Sequence, residues 1–141
     1  MQTGLLTLFA CLERHDVRYV LVGGLAAVLH GVPRATFDVD LLLDATLPNV
    51  NRLIEALSEA GFETAGQADP HRVLAAPIAT FDDALRVDVL LAVPGLTFDD
   101  AWAHHEARPA GPAVVRLASV DSGVACTRCR DSSCTTVSAV V

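Results

Sequence analysis

The chain has 141 residues, 52% of them hydrophobic and 19% charged, which is one ordinary domain's worth and excludes a disordered chain, a collagen-like fibre and a charged interaction tail. A chain of this length buries roughly two thirds of the surface its unfolded form exposes, so it needs no disulfide or metal staple. The formal net charge is −7, with ten Arg and no Lys. Such a balance excludes a general nucleic-acid coat, which rests on neutralising phosphates, and leaves a local Arg patch or a metal as routes to a nucleotide.

The N-terminal stretch lacks a basic n-region, and Glu13, Arg14 and His15 break its apolar run early, so no secretory signal is expected. No apolar run is long enough to span a bilayer. The expectation is a cytoplasmic protein with no membrane contact. Residues 5–14 place Leu5, Leu8, Phe9 and Leu12 at helical spacing. Tyr19–Val22 is expected as a buried strand that ends at Gly23-Gly24. The segment LAAVLHG follows as a helix, closing at Gly31 with Pro33 just beyond. Phe37–Leu43 is the second expected strand. Leu47–Ala60 is a helix with Pro48 in its first turn, Leu53, Ile54 and Leu57 on one face and Gly61 at its end. Phe62–Thr64 and Val73–Ile78 are expected as short strands, with a turn over Gly66–Pro70 between them. Arg86–Val93 is a third clear strand, Phe98–Ala107 a helix with Asp99 and Asp100 in its first turn, and Ala113–Leu117 a final strand. The alternation predicts an α/β (α+β) fold, with a mixed, twisted sheet flanked by helices in one domain over residues 1–120. Residues 121–141 form a Ser/Thr/Cys-rich tail with no helical or strand period.

The chemistry concentrates in residues 20–44, VLVGGLAAVLHGVPRATFDVDLLLD. A strand ends in two glycines and a helix starts at once. Glycine lets the backbone approach a ligand closely, and a helix start offers unpaired N–H groups to a phosphate. Asp38 and Asp40 are two apart on a strand, so both carboxylates face the same side. Two such anions repel, and a divalent cation relieves the repulsion. Asp88 lies in a similar setting, one acid inside RVDVLLAV. If its strand pairs beside the other, three carboxylates converge, which is the equipment of two-metal phosphoryl or nucleotidyl transfer.

The segment resembles the nucleotidyltransferase superfamily typified by polymerase β. Its pattern is an apolar residue, Gly and Gly or Ser, then after about ten residues Asp-x-Asp or Asp-x-Glu, then an acid on a later strand. Val22-Gly23-Gly24, Asp38-x-Asp40 and Asp88 match it. The fuller string GG-x-A…HG…R-x-T-x-D-x-D is similar to small bacterial nucleotidyltransferases, the AbiEii-type and minimal groups of toxin–antitoxin pairs, and there Arg34 and Thr36 also match. The resemblance spans roughly residues 5–120. It implies a nucleotidyltransferase fold and transfer of a nucleoside monophosphate from an NTP, such as ATP, to a hydroxyl, releasing pyrophosphate. Gly23 and Gly24 would hold the triphosphate. Asp38, Asp40 and Asp88 would bind Mg²⁺ or Mn²⁺, with Asp88 a candidate base for the acceptor hydroxyl. Arg34 would contact a phosphate or position its loop. The acceptor would be a tRNA or other RNA end, a protein or a small molecule such as an aminoglycoside. A cognate toxin or antitoxin and a homodimer are the expected protein partners.

Each feature also has a plainer reading. Gly23-Gly24 is also an ordinary strand-to-helix turn, Asp38 and Asp40 a solvated strand edge, and Thr36 a strand cap. Arg34 can pair with Asp38 or Asp44. Asp82 and Asp83 compete with Asp88 but read better as a turn. His30 reads as packed or capping a helix end. His104 and His105 are adjacent, so on a helix they diverge by about 100° and do not chelate together. Trp102 reads as a core or interface anchor, and Cys11 as a small buried apolar residue. Cys126, Cys129 and Cys134 supply three ligands where structural zinc wants four. Relatives follow the ASVD-like end of the last strand with a Leu/Ile-rich helix and a late Lys/Arg-Asp pair. Here the composition changes abruptly after Asp121, which reads as a frameshift or altered terminus near Asp121–Ser122 and is checked by resequencing the gene. The alternative functions are a catalytically silent binding module of the same fold and a small hydrolase or phosphatase using the same acids.

Overall fold

The computed structural model describes residues 2–31, 38–111 and 113–119. The chain opens with α1 (Gln2–Arg14), β1 (Tyr19–Val22), α2 (Gly23–Leu29), β2 (Asp38–Leu43) and α3 (Leu47–Glu59). Two short helices follow, α4 (Glu63–Gly66) and α5 (Pro70–Ala75), then β3 (Ile78–Asp82) and β4 (Arg86–Leu90). The described chain closes with α6 (Phe98–Ala103), β5 (Glu106–Ala110) and β6 (Ala113–Leu117). The six strands form one sheet in the order β3-β4-β2-β1-β6-β5. Neighbours β1–β2, β3–β4 and β5–β6 are antiparallel, whereas β2–β4 and β1–β6 are parallel. The fold is the expected mixed α+β sheet flanked by helices. Among the described residues no helix is long and apolar enough to cross a membrane.

The central strands are apolar on both faces, because helices cover both. On one face Tyr19, Leu21, Val39, Leu41, Leu43, Val87 and Val89 pack against Leu8, Phe9 and Leu12 of α1 and Val50, Leu53 and Leu57 of α3. On the other, Val20, Val22, Leu42, Leu90 and Ala118 form a smaller cluster under Ala101, Phe98 and Trp102 of α6. This second face changes character along the strands. Alternation places Asp38, Asp40 and Leu42 of β2, and Arg86, Asp88 and Leu90 of β4, on it in that order. The six-residue α6 packs with the apolar end, and the acids occupy the other.

Local chemistry fixes the ends of these elements. Thr46 caps α3 by accepting from the Asn49 N–H, with Pro48 in the first turn. Gly61 then turns the chain with φ +100°. Asn49 is fully buried. Its carboxamide oxygen accepts from the Arg18 N–H, and its amide donates to the carbonyls of Arg18 and Asp44, each at 2.9 Å. It thereby ties the start of α3 to both chain segments flanking the β1–β2 pair.

Four expected elements differ. The strand expected over Arg86–Val93 ends at Leu90. Phe62–Thr64 is not a strand: Phe62 is buried as the residue preceding α4. Most of Val73–Ile78 is not a strand either. Asp69 caps α5 through the His71 N–H, Pro70 starts it, and the strand begins only at Ile78. The helix expected over Phe98–Ala107 stops at Ala103, and Glu106–Ala110 is the edge strand β5.

Candidate active site

One row of residues crosses the sheet. Val22, the last residue of β1, is opposite Asp40 of β2. Asp40 is opposite Asp88 of β4, and Asp88 is opposite Thr80 of β3. Residues opposite one another share a face, so Asp40, Asp88 and Thr80 project together and Asp38 lies two positions along the same face. The parallel β2–β4 pairing thus brings together two acids that are far apart in the chain. Asp82 and Asp83 take no part in this pairing of carboxylates. Asp82 ends β3 opposite Arg86, and Asp83 accepts the Thr64 hydroxyl at 2.6 Å.

Gly23 follows Val22 immediately, so the chain leaves the sheet for α2 beside Asp40's strand. Gly23 is buried and has φ +76°, a conformation that L side chains rarely adopt, so the turn itself requires glycine. Gly24 does not share that positive φ. Val22 precedes α2 in extended conformation, and its side chain makes no capping hydrogen bond.

The electrostatics are those of acids crowded in a poorly hydrated place. Asp40 is 6% exposed. Burial first, then the charges of Asp88 and Asp38, push its carboxyl up from 3.8 to about 6, against a smaller opposing pull from Arg86. Asp88 is better compensated. The Thr80 hydroxyl donates to its Oδ1 at 2.7 Å, and the Arg86 Nε lies 3.5 Å from the same oxygen. Asp38 is exposed at the strand's start.

Among the described residues no group of three or more His, Cys, Asp or Glu side chains is placed to hold a metal ion. The donor chemistry nonetheless fits a hard divalent cation in an open site. It consists of carboxylate oxygens on neighbouring strands, one of them buried, whose repulsion a cation would relieve.

Other residues singled out by sequence have structural work. The Nε2–H of His30 donates to the Ala118 carbonyl at 2.6 Å, at the C-terminus of α2. His104 and His105 turn their Nδ1 atoms to the carbonyls of Asp100 and Trp102. Trp102 stacks on Phe98 and His105, with the Arg18 and Arg116 guanidinium groups 4.8 and 5.3 Å from its ring. Cys11 is buried, and burial pushes its thiol up. Arg34 and Thr36, the three late cysteines and the whole 121–141 tail lie outside the described residues.

Thr80 escaped the sequence reading. Its signal was the pair of short runs IATF and LRVDVLL around Asp82-Asp83, which is a hairpin pattern. No protein family, curated protein or solved structure matches this chain.

Proposed function

We propose that this chain is a metal-dependent nucleotidyltransferase, moving a nucleoside monophosphate from an NTP to a hydroxyl acceptor and releasing pyrophosphate. The observation that supports it is the in-register row: a Gly-Gly strand-to-helix turn next to Asp40, Asp40 next to Asp88, and Asp38 on the same face. Asp38, Asp40 and Asp88 would hold Mg²⁺ or Mn²⁺. Bound there, the ions supply Lewis acidity at the acceptor oxygen and charge neutralisation at the triphosphate. Gly23 and Gly24 would take the triphosphate, glycine permitting the close backbone approach this needs. The acceptor's oxygen would bond to the α-phosphorus as the bond to pyrophosphate breaks, and Asp88 would take the acceptor's proton. Gly23 and Gly24 keep the departing phosphates next to the acids. The acceptor is an RNA end, a protein or a small molecule, and a toxin–antitoxin setting supplies the partner. The cytoplasm, where NTP is abundant, is the compartment this activity needs.

The test is incubation with α-labelled NTPs, Mg²⁺, total RNA and lysate beside an Asp38→Ala/Asp40→Ala variant. The expected result is label on one RNA, protein or small-molecule species, absent with the variant. NTP consumption without a labelled acceptor would point to a hydrolase. No label and no consumption by folded protein would favour the silent binding module.

A further inference from the structure

We propose that Thr80 is a positioning residue for Asp88, fixing which carboxylate oxygen that acid turns toward Asp40; this rests on reading the row of acids as a cation site. Thr80 sits on the edge strand β3, and five residues of β3 pair in register with β4. The pairing places Thr80 directly opposite Asp88, and its hydroxyl donates to Oδ1 at 2.7 Å. The nearest Arg86 nitrogen, 3.5 Å away, addresses the same oxygen. Both contacts fall on Oδ1, and under the proposal the other oxygen is the one offered to a cation. The terminal torsion of an Asp side chain is broad and roughly two-fold, so a carboxylate without such a contact swings between orientations. A threonine on a strand suits the task, because its branched Cβ restricts χ1 and aims the hydroxyl. Arg86 adds little to this: its nearest nitrogen is 3.5 Å from Oδ1, longer than the Thr80 hydrogen bond.

Thr80 touches neither substrate nor metal in this scheme, so its effect is read in cation affinity rather than in stability. The probe is Mn²⁺ alone, titrated into the full chain and followed by the electron paramagnetic resonance of free Mn²⁺. Thr80→Val keeps the branched shape and removes the hydroxyl. We expect Mn²⁺ affinity to fall by about tenfold in that variant, the size typical of a lost supporting hydrogen bond at a metal ligand. Thr80→Ser should restore binding to within about twofold, and Tm should stay within about 1 °C of the parent in both. Parent-like binding by Thr80→Val, alongside loss of binding in Asp88→Asn, would overturn the positioning role and leave the cation site standing. A large drop in Tm in both Thr80 variants would make the residue structural and also overturn it. Parent protein that takes up no Mn²⁺, or takes it up equally with Asp40→Asn and Asp88→Asn, would remove the cation reading and the positioning role with it.

Discussion

Asp40 is a carboxylate that the fold holds at a disadvantage. Its neighbours Val39 and Leu41 are buried in the main core, and its own side chain faces a second carboxylate. With the folded value near 6 and the unfolded value at 3.8, the folded chain binds the extra proton between those limits. Stability therefore falls as pH rises through that window and stays low above it. Asp40→Asn should flatten this slope and raise stability at about pH 8 by about 1–2 kcal/mol, after discounting for solvent screening. Urea unfolding of parent and variant at roughly pH 4 and pH 8 measures both effects. At this scale the sequence was readable where periodicity governs. Asp38 and Asp40 share a face because side chains alternate, and no tertiary knowledge was needed to say so. The pairing of Asp88 with Asp40 was read only as a condition on strand order, and Thr80, opposite Asp88 on β3, was not read at all.

Elements were legible where turn residues bounded them. Tyr19–Val22 and Ala113–Leu117 have the bounds expected of them. The long helix α3 was marked by Pro48 and Gly61. The short elements failed for a physical reason: one turn of helix and three residues of strand bury too little to leave a period in the sequence. At α5 the cap Asp69 and Pro70 outweighed the apolar run after them. Near Ala103 the chain exchanges helix for strand without a glycine to announce it. Asn49 shows how much one polar side chain can hold between elements. Asn49→Ala would leave the Arg18 N–H and two carbonyls without their partner, and should cost about 2–3 kcal/mol. Chemical denaturation with an unchanged m-value would confirm it, whereas a loss under about 0.5 kcal/mol would mean that water replaces the carboxamide.

For the whole molecule, the telling asymmetry is between the sheet's two faces. One is covered by α1 and α3. On the other the apolar patch under α6 gives way to Asp38, Asp40 and Asp88 along β2 and β4. A cation that joins these acids stabilises the whole fold by mass action. Mg²⁺ in excess should raise Tm at about pH 8 by a few degrees, do little at about pH 4 where Asp40 is protonated, and do nothing for the Asp40→Asn/Asp88→Asn double variant. Scanning calorimetry with and without chelator tests this, and equal shifts in parent and double variant would assign the ion elsewhere.

The sheet's wiring has a consequence for how the chain is made. β1, among the first elements to leave a ribosome, lies inside the sheet between β2 and β6. Its β6 side is completed only when Leu117 reaches Leu21, with the Tyr19 hydroxyl bridging to the Val114 carbonyl and the Arg116 N–H. Until then a nascent chain presents an unpaired apolar strand edge, the kind that recruits other strands. A chain cut short before the β5–β6 hairpin therefore leaves β1 without its parallel neighbour, which is where such fragments would pair with one another.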